Sequence, residues 1–264
     1  VHHFIGKFAK GSFKGYILLD EVSMVCLPLF AALDHLRLLG TKIITFGDWD
    51  QLPPHPESNS WRGEPITPDA FKKSRLYKCW SDCTCFELTR CRRSDKTHFD
   101  FYTSILKKSV STAISETRKR YRAPEDREIS LHVCISHWKR RKISQDRQQE
   151  ISAGKECKTI PEGDDPSYEC CIGTQLVGSS TVGKFKNGGL YTVVSLSPLK
   201  LEDTNGCNFD VSEEQISKST MLAHALTYQR VQGITTDKSV MLHGLESKFF
   251  QKSHLYVGLS RVTN

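Results

Sequence analysis

The sequence predicts an α/β protein of two lobes, each built on a parallel sheet. Three observations carry this. Tyr16-Ile17-Leu18-Leu19 is an unbroken apolar run, too short for a stable helix, and reads as a strand buried on both faces. Lys42-Ile43-Ile44-Thr45-Phe46 is a second such strand, with a helical pattern between the two. Strand-like runs return after residue 128, beyond a polar stretch from Lys107 to Arg127 that contains Pro124. Residues 1–109 then form the first lobe, 110–127 a linker and 128–264 the second lobe.

Two acids, Asp20 and Glu21, follow the first strand at once. Carboxylates at the end of a buried strand are costly unless a cation or a reaction needs them. The carboxyl end of a parallel strand is also where α/β folds place ligands. In that reading Asp20 holds Mg²⁺ beside a phosphate and Glu21 polarises the attacking water. A solvated acidic turn would fit this stretch taken alone.

The helix between the strands has Pro28 in its first turn, and Gly40 ends it. Leu29, Ala32, Leu33 and Leu36 repeat at helical spacing. The second strand ends in Gly47-Asp48-Trp49-Asp50-Gln51-Leu52-Pro53-Pro54. Gly47 lets the backbone approach a ligand closely. The Gln51 amide can hydrogen-bond a γ-phosphate and the attacking water. The two prolines fix a rigid exit. Two strands ending in such residues around one helix form a nucleotide-hydrolase layout.

Asp20-Glu21-Val22-Ser23-Met24 and Gly47 to Pro54 together resemble motifs two and three of superfamily-one helicases. Ser23-Met24 and the Gln-Leu-Pro-Pro run point to the RecD-like branch, which includes the petite-integration-frequency helicases. Thr227-Tyr228-Gln229-Arg230-Val231-Gln232-Gly233-Ile234-Thr235 resembles motif five, and Tyr256-Val257-Gly258-Leu259-Ser260-Arg261-Val262 resembles motif six. Cys91-Arg92-Arg93 resembles motif four, after an alternating strand at Phe86 and Leu88. Motifs two, three, five and six in order across nearly the whole chain make a specific signal; any one alone is weak.

The resemblance implies two RecA-like P-loop NTPase lobes that bind Mg²⁺ and ATP. Asp20, Glu21, Asp48, Gln51, Arg92, Gly233 and Arg261 would line the nucleotide site. Glu21, Gln51, Arg92 and Arg261 would be catalytic, with Arg93 second to Arg92. His3, Pro53, Thr227 and Gln232 would touch nucleic acid. The partners implied are single-stranded DNA and duplex junctions, with 5′-to-3′ movement, in the nucleus or another DNA-containing compartment. An RNA helicase of the same superfamily and a non-catalytic nucleic-acid-binding remnant are the alternatives.

No Gly-rich loop ending in Gly-Lys-Ser or Gly-Lys-Thr is present; Gly6-Lys7 and Gly183-Lys184, for example, are each followed by phenylalanine. His2-His3-Phe4 resembles the segment after that loop in the helicases. The chain therefore reads as a fragment starting beyond motif one, with its first lobe lacking its N-terminal part. On that reading residues 1–264 alone are ATPase-defective.

The charge balance is +7, which suits a polyanionic partner, and no apolar run approaches a membrane span. Cys79, Cys83, Cys85 and Cys91 cluster, and Cys170-Cys171 are adjacent, but no Cys-x-x-Cys knuckle pair is present. Reduced cysteines without zinc are expected. Trp61 sits in a polar loop, where it either stacks on a base or packs on the surface. After the strand at 129–135, Trp138, Lys139, Arg140, Arg141 and Lys142 suit phosphate contacts or a solvated helix face. Residues 152–168 read as a loop. Asn187-Gly188 reads as a hairpin turn between the runs at 172–177 and 190–196. The expected insertion in the second lobe is a short β-hairpin, too small for a full barrel.

Overall fold

The computed structural model describes residues 13–54, 59–61, 64–81, 84–121, 129–162, 165–237 and 239–263. The chain divides into two compact units, 1–92 and 93–264. This boundary precedes the 110–127 span that composition marks as a linker.

In the first unit, β1 (Tyr16–Leu19) leads through a 3₁₀ turn (Val22–Met24) into α1 (Leu27–Leu38) and then β2 (Lys42–Thr45). β1 and β2 pair in parallel, with Tyr16 opposite Lys42 and Leu19 opposite Thr45. Pro28 sits in the first turn of α1, where its missing N–H is no loss. Leu29, Phe30, Leu33 and Leu36 are its buried face. Two short strands follow, β3 (Ser60–Trp61) and β4 (Glu64–Pro65), and then α2 (Pro68–Lys73) and α3 (Arg75–Ser81). Thr67 caps α2 by accepting from Ala70 N at 3.1 Å. The core joins Leu19, Val22, Phe30, Leu33 and Phe71, with Trp49, Tyr77 and Trp80 packed around it. The Phe30 ring lies 4.4 Å from that of Phe71 and 4.8 Å from that of Trp80.

β1 is buried on one face, not two. Leu19 is in the core, while Tyr16 and Leu18 are exposed, Leu18 at 68%. The cause is the layering: side chains alternate along a strand, and the packed helix covers one side only. Ile44 and Phe46 are exposed as well. The alternating run at Phe86 and Leu88 forms no strand among the described residues, and Leu88 is 92% exposed.

The second unit begins with α4 (Lys96–Ser104), a 3₁₀ turn (Ile105–Lys107) and α5 (Val110–Arg120). α5 occupies most of the expected linker. Its Ser109 cap accepts from Thr112 N at 3.1 Å, and only Ala113 and Thr117 are buried along it. So small an apolar face leaves little periodicity to read in the sequence.

Next come β5 (Leu131–Cys134) and α6 (His137–Ser152), then the antiparallel pair β6 (Cys157–Glu162) and β7 (Asp165–Cys171). β8 (Gln175–Gly178), β9 (Leu190–Leu196), β10 (Leu199–Asp203), β11 (Asn208–Asp210), α7 (Glu213–Ser219) and β12 (Thr220–Leu222) follow. The chain closes with β13 (Ala225–Thr227), β14 (Val240–Leu242) and α8 (Lys252–Leu259). β5 lies between β13 and β14 in a parallel sheet, ordered β13-β5-β14.

The insertion is larger than a hairpin. Five strands form an antiparallel sheet ordered β11-β10-β9-β8-β12. Its core contains Leu176, Tyr191, Val193, Leu201 and Leu222 together with Ile160, Tyr168 and Cys170 from β6 and β7. The segment expected as a loop thus supplies part of a core that the later strands could not close alone. Asn187-Gly188 does form a turn, with Gly188 at φ 79° and Gly189 N donating to Lys186 O. No described helix is long and apolar enough to cross a membrane.

Candidate active-site elements in the two units

In the first unit the acid pair sits where β1 ends. Phe46 N donates to Leu19 O at 2.8 Å and Val22 N donates to Phe46 O at 2.9 Å, so the ladder continues past both strands. Between those bonds the chain must turn sharply, and it does so at Glu21. Glu21 has φ 52° and ψ 46°, the only left-handed non-glycine residue among the described residues. For such a residue this conformation costs on the order of 1–3 kcal/mol and persists where surrounding structure holds it. Here Met24 N donates to Glu21 O, and Glu21 N donates to Asp20 Oδ1, each at 2.9 Å. Asp20 is exposed and Glu21 half-buried.

Gly47 faces this turn. A Cβ there would meet Val22 N at 2.8 Å and Val22 Cγ1 at 2.9 Å. The close approach that the glycine permits is to the chain's own turn after the acid pair. Asp48 follows, its Oδ1 accepting from Asp50 N at 2.9 Å, and Gln51 N donates to Asp48 O at 3.3 Å. Burial first, and then the Asp48 carboxylate, push the Asp50 pKa up. Trp49 anchors the loop, edge-on to Tyr77 at 5.4 Å, and Leu52 is buried. Pro53 is half-buried. The fold therefore brings the motif-two and motif-three residues together through two backbone bonds and one glycine.

Asp20 fits a Mg²⁺ site of the usual kind, one or two carboxylates completed by water and substrate phosphate. Its carboxylate is a hard oxygen donor at an exposed strand end. Among the described residues no group of three or more His, Cys, Asp or Glu could hold a metal by itself. His3 and Cys83 lie outside the described residues. Arg92 is exposed at the end of the first unit.

In the second unit the motif-five and motif-six segments are joined directly. Thr236 N donates to Arg261 O at 2.9 Å, and Thr263 N donates to Thr236 O at 3.1 Å. Arg261 is 1% exposed. Its Nε donates to Val257 O at 3.1 Å, Nη1 to Ile234 O at 3.5 Å and Nη2 to Ser260 Oγ at 2.7 Å. In this conformation the guanidinium ties α8 to the residue after Gly233. Gly233 is exposed at φ 80° with open space around it, and Gln232 is half-buried. Thr227 ends β13 and is buried; its Oγ1 accepts from Arg230 N at 3.3 Å.

Several contacts that hold this site are not the ones the motifs predict. Arg93 Nη1 donates to Ser260 O at 3.0 Å, so the second arginine of motif four braces motif six. His98, buried on α4, has Nε2 2.9 Å from Leu259 O and Nδ1 2.6 Å from Tyr121 Oη. A carbonyl only accepts, so Nε2 donates to Leu259 O. Arg230 Nη2 donates to Gly178 O at 2.9 Å and Asn187 Oδ1 at 3.0 Å, clamping motif five to the β-rich insertion.

α6 presents only part of its expected basic face. Trp138 is 68% exposed, with Lys142 Nζ 5.9 Å from its ring centroid, and Arg141 is exposed. Arg140 turns inward, 4% exposed, with Nη1 3.5 Å from Met221 Sδ. The helical turn from Arg140 to Ser144 and Gln148 is the face that packs on the sheet, which explains the difference.

On β5, His132 Nδ1 lies 2.9 Å from His243 Nε2 and the two rings stack. Burial, then His243, lowers the His132 pKa to about 4; burial lowers His224 to about 4. Between pH 6.5 and 4 the unfolded chain therefore binds more protons than the folded one, so stability falls as pH drops through that window. Denaturant melts at pH 7 and pH 4.5 should show a lower midpoint at acid pH. His132→Gln should narrow the difference.

No protein-family model matches the chain, and no curated protein does. Solved structures do. The chain is similar to Pif1 helicase from Bacteroides in complex with ADP-AlF3 and ssDNA, at 21% identity and a TM-score of 0.64. That match covers 100% of this chain and 71% of that one. It is similar to Pif1 helicase from Candida albicans at 16% identity and a TM-score of 0.65, covering 99% and 72%. It is also similar to unliganded Pif1 from Bacteroides, at 18% identity and a TM-score of 0.52, covering 100% and 72%. The chain has the α/β helicase-core fold found in the Pif1 helicases.

Proposed function

We propose that this chain is the ATP-driven core of a DNA helicase, coupling nucleotide hydrolysis to movement along single-stranded DNA. The observation that carries the proposal is the backbone of Glu21. A charged residue held left-handed at a strand end, between two cross-strand bonds, is strain kept where a reaction needs a fixed carboxylate. The similar Bacteroides Pif1 structure with ADP-AlF3 and ssDNA supports the choice of nucleotide and strand.

In this reading Asp20 would hold Mg²⁺, which when bound neutralises phosphate charge. Glu21 orients and polarises the attacking water, and the Gln51 amide reports the γ-phosphate. Asp48 fixes the Gln51 loop through Asp50 N. Arg92 and Arg261 stabilise the transferring phosphoryl group, a role worth ~10³–10⁵ in rate. Arg261 would have to leave Ile234 O and Val257 O to do so. That exchange couples phosphate binding to motif five, where Gly233 gives close backbone access. Thr227, Gln232 and Pro53 would contact the strand. The resemblance adds the 5′-to-3′ direction and duplex junctions as substrate.

The experiment is ATP hydrolysis measured in a chain that joins residues 1–264 to a phosphate-binding loop. Single-stranded DNA should raise turnover more than single-stranded RNA does. Equal or greater stimulation by RNA would move the proposal to an RNA helicase.

A further inference from the structure

We propose that Cys157 and Cys171 form a reversible cross-strand disulfide, a redox modification site at the open end of the β6–β7 hairpin. Cys157 is the first residue of β6 and Cys171 the last of β7, and the register places them directly opposite. Opposed residues of an antiparallel pair have Cα atoms ~4.5–5.5 Å apart. A disulfide needs roughly 4.4–6.8 Å, so the strands need not move. The two side chains share the sheet face of the next opposed pair but one, where Thr159 Oγ1 donates to Glu169 Oε1 at 2.8 Å. Burial, and then Cys171 across the pair, push the Cys157 thiol up, so its thiolate is the minor form at neutral pH and oxidation is slow rather than immediate.

Their surroundings divide the chemistry. Cys157 is half-buried and within reach of a small oxidant, with Sγ donating to Lys155 O at 3.3 Å. Cys171 is fully buried, its Sγ 3.5 Å from Thr174 Oγ1 and 3.9 Å from Gln148 Nε2. It can react only through its neighbour. Cys170 points to the opposite face, into the insertion's core, where burial pushes its thiol up to about 12 and keeps it inert.

With a peroxide as oxidant the step balances. The Cys157 thiolate attacks one peroxide oxygen, forming S–O as O–O breaks, and the leaving hydroxide takes a proton to become water. The Cys171 sulfur then attacks the sulfenic sulfur of Cys157, forming S–S as S–O breaks. The leaving oxygen departs as a second water with the Cys171 proton. Two thiols are oxidised by two electrons and one peroxide is reduced to two waters. A dithiol reductant reverses it. The bond would close the hairpin end that packs beside the C-terminal half of α6, through Gln148 Nε2 to Glu169 O at 2.7 Å.

The test is peroxide treatment of residues 1–264, alkylation of remaining thiols under denaturing conditions, and peptide mapping. The dominant cross-linked peptide should join Cys157 to Cys171 and disappear with dithiothreitol. Cys170→Ala should leave it unchanged. In Cys171→Ser, Cys157 should stop at a sulfenic acid that dimedone traps. A dominant link from Cys157 to any other cysteine, or over-oxidation of Cys157 in the unsubstituted chain without the link, would overturn the proposal.

Discussion

Glu21→Gln, in a chain that also carries a phosphate-binding loop, should keep ATP binding and lose about 10²–10⁴-fold in turnover. The amide preserves size and hydrogen-bonding, so the left-handed turn at φ 52° and the bond from Met24 N to the residue's carbonyl should survive. What disappears is the charge that draws a proton from water. Nucleotide titration and steady-state hydrolysis separate these effects. Turnover within about threefold of the parent, well below a general-base contribution, would remove Glu21 from the mechanism.

Arg261→Ala should act on both stability and rate. The side chain is 1% exposed and satisfies Val257 O, Ile234 O and Ser260 Oγ. Truncation leaves a cavity and orphaned acceptors, a loss of about 2–5 kcal/mol. In the chain with a phosphate loop, hydrolysis should also fall by roughly 10³-fold or more. Arg261→Lys separates the two. It keeps the charge but not the planar fork, so it should recover more stability than rate. Denaturant midpoints and turnover would be read on the same preparations. Full turnover in a folded Arg261→Ala chain would make Arg261 a structural tie alone.

Much of the first site is readable in the sequence because its signals are local. Two short apolar runs, an acid pair and a Gly-Asp-x-x-Gln run fix where strands end, and the helix between them follows from spacing. The reason for Gly47 is less local. It depends on Val22 standing opposite it, a contact only the parallel register creates.

The insertion is the clearest case of what pattern cannot show. β6 contains a lysine, a threonine, a proline and a glutamate in six residues, so alternation is weak and the segment reads as loop. Its strand identity comes from pairing with β7 and from burying Ile160 beside Tyr168 and Cys170. α5 is similar: a serine cap and two small buried residues make a helix that composition presents as a linker. Arg93 and His98 brace motif six through main-chain carbonyls, which any residue offers, so no motif marks their targets. Arg140 and Arg141 are adjacent in a basic run, yet only helical phase decides that one is buried and the other exposed.

On the proposed function, these residues stabilise phosphoryl transfer only when the phosphates are held by a separate nest of backbone N–H groups and a lysine. Mg-ATP hydrolysis should therefore be measured for residues 1–264 and for the same residues joined to a phosphate-binding loop, each with and without single-stranded DNA. Residues 1–264 should show no useful turnover, and the joined chain should show DNA-stimulated turnover. Robust DNA-stimulated hydrolysis by residues 1–264, or a joined chain that ignores DNA, would contradict this expectation.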